Sequence, residues 1–150
     1  MYALILGIHN LVRWIVLILG LLAAIMAWIG WLRKREWQEG DRKLGSFFAM
    51  SADIQLLLGL LLYFFFSPLT RTALSDIAAA MQVPDLRFFA LEHGFYMLLV
   101  VVFAHLGSIF SRRAKSSRSK FLTAAVWFSL AVLLVIVGIP WNRPLFPTFL

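Results

Sequence analysis

Four apolar runs, each long enough to cross a hydrocarbon layer, leave this chain few ways to fold. They cover residues of about 2–32, 44–66, 86–110 and 121–139. An α-helix needs about 20 consecutive apolar residues to span a bilayer core. Inside that core the backbone must satisfy its own hydrogen bonds, which leaves helices or a closed barrel. The runs are too long for barrel strands and lack their alternation. Pro68 and Pro140, just beyond the second and fourth runs, are helix stops. The first run is long enough to tilt or protrude. The expectation is an all-α integral membrane four-helix bundle forming a single domain, with no internal repeat.

Composition supports this reading. Of the 150 residues, 62% are hydrophobic and 14% charged, with a mean hydropathy of +0.88. Soluble domains average about 25% charged residues. Cysteine is absent, which excludes disulfides, thiolate metal sites, thiol catalysis and covalent c-type haem. Met1-Tyr2-Ala3 offers no basic segment of the kind that opens a cleavable signal peptide.

The charges orient the bundle. Arg33, Lys34, Arg35, Arg42 and Lys43 occupy the first loop, and Arg112, Arg113, Lys115, Arg118 and Lys120 the third. The second loop and the tail carry only Arg71, Arg87 and Arg143. The positive-inside rule then predicts a cytoplasmic first and third loop and both termini on the outer side. The net charge of +7 reads as topology and anionic-lipid contact, with no nucleic-acid motif around it. The third loop reads as a plain connector. In the second loop, Leu74 to Met81 reads as a short surface amphipathic helix. The aromatic tail Pro140-Trp141-Asn142-Arg143-Pro144-Leu145-Phe146-Pro147 suits an interfacial anchor or a partner contact.

Ionisable residues within spans are costly and so mark function by default. The candidates are His9, Arg13, Asp53, Glu92, His93 and His105. With a rise of about 1.5 Å per residue, His9 and His93 lie at nearly the same depth, roughly 9–10 Å below the outer surface. That suits two axial ligands on one haem iron. Two other readings stand beside it: a histidine and acid that bond a quinone, and histidines bonded structurally with no cofactor. Arg13, one turn below His9, matches the depth of Asp53, which predicts an Arg13–Asp53 ion pair. His105, roughly 18 Å along the helix from His93, cannot share its metal and reads as a hydrogen bond to a neighbouring helix. Gly94 and Gly7 stand where haem edges would need close approach.

Other chemistries find no support. The serines and threonines lack a histidine at matching depth, there is no phosphate loop, and a di-iron bundle would need more than one buried Glu.

His9-Asn10-Leu11-Val12-Arg13-Trp14 resembles the His-x-x-x-Arg-Trp opening of a group of small bacterial four-span proteins often labelled cytochrome b. Asp41-Arg42-Lys43, Ile54-Gln55-Leu56, Leu62-Tyr63-Phe64, Ser67-Pro68, Leu86-Arg87-Phe88-Phe89, Glu92-His93 and Ile139-Pro140-Trp141 extend the resemblance over nearly the whole chain. It implies haem b carried on His9 and His93, in the inner (cytoplasmic) membrane of a bacterium. Relatives often place His where Asp53 stands, so a two-haem scheme is not implied here. The residues assigned to cofactor binding are His9, His93, Arg13 and Glu92, with Glu92 orienting its neighbour and His9 and His93 the metal ligands. The expected function is a haem b electron-transfer or accessory subunit, bound to lipid and to other subunits of a membrane redox complex. It would have no independent catalytic activity. The alternatives are a cofactor-free structural subunit and a quinone-binding one.

Overall fold

The computed structural model describes residues 1–146 and is all-helical. Pro147, the last proline of the tail motif, lies outside the described residues. Helix α1 covers Tyr2–Leu32 and α2 covers Glu39–Leu61, prolonged by a wider π-helical turn at Leu62–Phe66. Three short helices follow: α3 (Pro68–Ser75), α4 (Ile77–Ala80) and α5 (Pro84–Arg87). A second π-helical turn, Phe88–Glu92, leads into α6 (His93–Arg113), and α7 covers Ser117–Gly138. The four helical stretches Tyr2–Leu32, Glu39–Phe66, Pro84–Arg113 and Ser117–Gly138 are long and apolar enough to cross a membrane.

The first stretch matches the apolar run, and the other three begin or end in polar residues that an apolar pattern does not include. The second starts five residues before the expected Leu44, because Gln38 and Asp41 form a reciprocal capping box. Asp41 also holds Arg35 in a two-bond pair at 2.6 and 3.1 Å. The fourth starts at Ser117 because the Ser116 side chain accepts from the Ser119 amide at 3.2 Å. This leaves residues 114–116 as the whole third connector, much shorter than the Ser-rich stretch implied.

The expected helix over Leu74–Met81 is broken in two. Asp76 leaves helical geometry, and its carboxylate accepts from the Ala79 amide at 3.0 Å, capping α4. An aspartate gains more as an N-cap than inside a helix, because its oxygen satisfies an amide that has no intrahelical partner.

The spans pack in sequence order around a ring, α1 beside α2, α2 beside α6, α6 beside α7, and α7 beside α1. The centre is built from rings set against small residues. Phe48 and Phe121 are fully buried, and Phe128 nearly so, among Ala23, Ala27, Ala49, Ala52, Ala104, Ala124, Ala125 and Ala131. A Cβ at Gly30 would strike the Phe121 ring, and one at Gly45 or Gly107 would strike Phe128. Close backbone approach through small residues is how helices associate where burial against lipid gives little driving force. Ser51, Ser108 and Ser111 are buried, and two of them return their hydroxyls to their own helix: Ser51 donates to the Phe48 carbonyl and Ser111 to that of Ser108. Large apolar side chains such as Leu11, Ile18, Phe47, Leu57, Leu98 and Leu133 point outward from all four spans.

At the basic end, where the first and third loops meet, Ser117 joins the two connections. Its hydroxyl donates to Glu36 at 2.6 Å and accepts from the Trp37 amide at 3.1 Å. Arg35 lies over the Phe121 ring at 4.8 Å, closing the core from that side.

The ring-in-glycine packing predicts that Gly107→Val destabilises the bundle by about 1–3 kcal/mol through overpacking. Phe128→Ala, which empties the same space, should cost about 3–5 kcal/mol. Thermal unfolding of the detergent-solubilised variants measures both.

Candidate functional site

The fourth span has 22 residues, against 31, 28 and 30 in the other three. It stops about 9–13 Å short of matching them. The missing length falls at the end of the bundle that carries the N terminus, and a cavity of about 230 Å³ lies there. Its walls include His9, Arg13, Gln55, Gly59, Tyr63 and His93, together with Leu6, Leu62, Leu69, Met97 and Val135.

Both π-helical turns border this space. In the first, the Ser67 amide donates five residues back to Leu62 at 2.8 Å. In the second, the His93 amide reaches back to Phe88 in the same way. The two turns are joined where the Tyr63 hydroxyl donates to the Ala90 carbonyl at 2.8 Å. Thr70 supports the first turn by donating to the Tyr63 carbonyl at 2.7 Å. Single π-helical turns occur frequently at functional sites, where they re-aim the side chains that follow them.

His9 and His93 face one another across the cavity with ring centroids 6.3 Å apart and planes inclined at 66°. His93 is fixed by its Nδ1, which lies 2.8 Å from the Gly138 carbonyl at the end of α7. A carbonyl can only accept, so Nδ1 carries the proton and Nε2 holds a free lone pair. Donation of one ring N–H to a backbone carbonyl is the usual arrangement around a metal-ligating histidine. Phe88 and Phe89 flank the same ring at 5.7 and 6.1 Å. His9 is held through its backbone, whose carbonyl accepts from the Gln55 amide at 3.0 Å. Its side chain lies near Gly59, where a Cβ would come within 3.4 Å of His9 Cε1.

Four buried side-chain atoms have no hydrogen-bond partner among the described residues: His9 Nδ1, Arg13 Nε, Gln55 Oε1 and Trp31 Nε1. The first three belong to cavity-lining residues. Buried polar groups are almost always paired, so a cluster of unpaired ones marks a place that a polar ligand or water completes.

The other assigned residues stand differently from the sequence expectation. Arg13 does not pair with Asp53. Its guanidinium donates to the Leu145 carbonyl, and the Trp14 indole donates to the same oxygen at 3.1 Å. Phe146 stacks on Trp14 with centroids 5.6 Å apart. The tail therefore folds back over its own bundle: Arg143 reaches Asp85 at 2.8 Å, and Pro140, Arg143 and Pro144 line the cavity. Asp53 pairs instead with His105, whose Nε2 lies 2.9 and 3.1 Å from the two carboxylate oxygens. The hydrogen bond expected of His105 to a neighbouring helix is thus present, and its partner is the aspartate. Glu92 is not a cavity residue. Its carboxylate accepts from Arg87 at 2.7 Å, and the Gly138 carbonyl, not Glu92, orients His93. Gly94, placed in the sequence beside a prospective haem edge, has open space where its Cβ would be and does not line the cavity.

Among the described residues, no group of three or more His, Asp or Glu gathers to hold a metal. A metal here would rest on the two histidines alone. Gln55, Tyr63 and Gly138 are participants to which the sequence reading assigned no place in the site. The first two look like ordinary polar or aromatic span residues, and Gly138 acts only through its backbone. The chain matches no known protein family, no curated protein and no solved structure. The site therefore has to be read from its own geometry.

The hold of Arg13 and Trp14 on the tail predicts that Arg13→Leu frees residues 142–146. Proteinase K should trim the C-terminal segment of purified Arg13→Leu faster than that of the parent, by about 10- to 150-fold for the loss of a charge-assisted bond worth about 1.5–3 kcal/mol. Intact-mass spectrometry follows the cleavage.

Proposed function

We propose that the chain is a multi-pass protein of a bacterial inner membrane that binds one haem b between His9 and His93. It would serve as an electron-transfer or accessory subunit of a larger membrane complex. The observation that carries this reading is the pair of imidazoles 6.3 Å apart, one of them with its Nδ1 proton committed to the Gly138 carbonyl. His9 and His93 would hold the iron, each through one ring nitrogen.

Haem b, when bound, supplies one-electron transfer. The chain's own groups would do the rest. Gly138 holds the tautomer of His93, and Gln55 fixes the backbone of His9. Arg13 adds a positive charge to the cavity wall for an anionic substituent. The apolar walls limit water, which with hydrogen bonding sets a bound group's potential. The charge distribution supports cytoplasmic first and third loops and outward termini. In that orientation the site lies toward the outer surface, where an extracytoplasmic donor could reach it.

A volume of about 230 Å³ favours a second reading, since it is closer to one substituted ring than to a macrocycle. A quinone carbonyl could accept from a histidine N–H or from Arg13, whose Nε has no partner among the described residues. The cofactor-free structural subunit is the third outcome.

A reduced-minus-oxidised spectrum of the purified chain, with pyridine extraction, distinguishes the three. The haem reading expects sharp bands with about one haem per chain. His9→Ala and His93→Ala should each abolish the pigment, while His105→Ala should keep it. Full pigment in both of the first two variants would overturn the ligand assignment. No Soret band, together with quinol or inhibitor binding that depends on His93, would establish the quinone site. Absence of both would leave the structural role.

A further inference from the structure

The segment after the fourth span is placed as a cover on the cavity. Its root is fixed, because the Trp141 indole donates to the Ile136 carbonyl in the last turn of α7 at 2.8 Å. From there residues 142–146 form turns and bends and join no helix of the bundle. Pro140, Arg143 and Pro144 make up part of the cavity wall.

The contacts that hold this arm down come from separate elements. Arg143 pairs with Asp85 on α5 at 2.8 Å, and both side chains are exposed, at 39% and 56%. Arg143 also lies over the Phe89 ring at 5.5 Å. On α1, Trp14 donates to the Leu145 carbonyl and stacks on Phe146. Neither Asp85 nor Trp14 lines the cavity. Exposed ion pairs contribute little, and a segment held by few contacts opens locally long before the fold does. The arm is therefore the part of the wall that can lift.

Arg13 belongs to the cover and to the cavity alike. It is 7% exposed and lines the space, and its guanidinium donates to the Leu145 carbonyl. A guanidinium carries five N–H donors, and that bond uses one of them. Arg13 Nε has no partner among the described residues, and neither has Gln55 Oε1 nor His9 Nδ1 in the same wall. An oxygen of a ligand can thus accept from Arg13 while the arm stays closed. The bond to Leu145 fixes the guanidinium in advance, which favours the ligand. By linkage, the ligand then favours the closed arm to the same degree.

We propose that residues 142–146 are a strap that closes over the ligand of this cavity, and that Arg13 couples the two by donating to the strap and to an acceptor oxygen of the ligand at once. This rests on the reading that the cavity holds an organic group. It is the same for haem and quinone, since a propionate carboxylate and a ring carbonyl offer the same acceptor. The probes are haemin and decylubiquinone, each added to the purified chain in detergent. At saturation the bound probe should slow proteinase K cleavage within residues 142–146 by about tenfold, relative to cleavage of added casein. Asp85→Asn combined with Trp14→Phe loosens the strap and leaves the cavity wall as it is. The double variant should release the probe about tenfold faster, read as haem transfer to apomyoglobin or as quinone loss on dilution. Its helical circular dichroism and thermal midpoint should match the parent, and if it misfolds the cleavage of the parent decides alone. Binding of neither probe would overturn the cavity reading and the strap with it. Binding with unchanged cleavage, with faster cleavage because the probe displaces the arm, or with release indifferent to the double variant would overturn the strap alone.

Discussion

The fourth helix is shorter than its three companions, and the chemistry at one end of the molecule depends on that. Twenty-two residues carry α7 about 33 Å, whereas α1 runs about 46 Å. Three helices continue past the point where the fourth stops, and the space left above Gly138 has to be filled by something other than a helix. The last carbonyls of any helix have lost their intrahelical donors. One of them, at Gly138, finds the imidazole of His93. The truncation therefore opens the cavity and also provides the acceptor that sets the tautomer of a histidine in its wall. The tail crosses the opening and brings a second carbonyl, Leu145, to the charge of Arg13.

The rest of the bundle supports that geometry by being closely packed. Phe121 occupies the space at Gly30, and Phe128 fits against both Gly45 and Gly107. Bulky rings against bare backbone leave little room for one helix to slide or rotate on another. The histidines on α1 and α6 do not sit on directly adjacent helices in the ring, so their separation is set through α2 and α7 together. Two π-helical turns, tied to each other through Tyr63 and Ala90, adjust the last part of this alignment.

The helices were legible in the sequence because length and apolarity alone decide them, and their ends were not. Helix termini are decided by polar caps such as Gln38, Asp76 and Ser116, which an apolar pattern treats as loop. Depth counting brought His9 and His93 to one level, and the structure places their rings side by side. The same counting failed for Arg13 and Asp53. Depth fixes a position along the helix axis and says nothing of the direction a residue faces. Asp53 turns toward α6, where His105 meets it, while Arg13 turns toward the tail. Glu92 was misplaced for a related reason: the π-helical turn it belongs to shifts the register just before His93, and Arg87 claims its carboxylate. The contributions of Gly138 and Leu145 are made by backbone oxygens, which no side-chain pattern reveals.

The order in which these parts are made has a consequence for how the protein matures. His9 and Arg13 precede Gly138 and Leu145 by more than 120 residues, so the carbonyls that meet His93 and Arg13 emerge only with the end of the fourth long helix and beyond it. A nascent chain that ends before α7 already contains both histidines and Arg13, but lacks the carbonyls that orient His93 and bind Arg13. Until then the His93 ring and the Arg13 guanidinium lack the partners they have in the folded chain. The site closes only once the segment after the fourth helix has folded back. Assembly of the cavity is in this sense a late event, and any ligand it takes would enter a completed bundle or be enclosed by the tail as it seats.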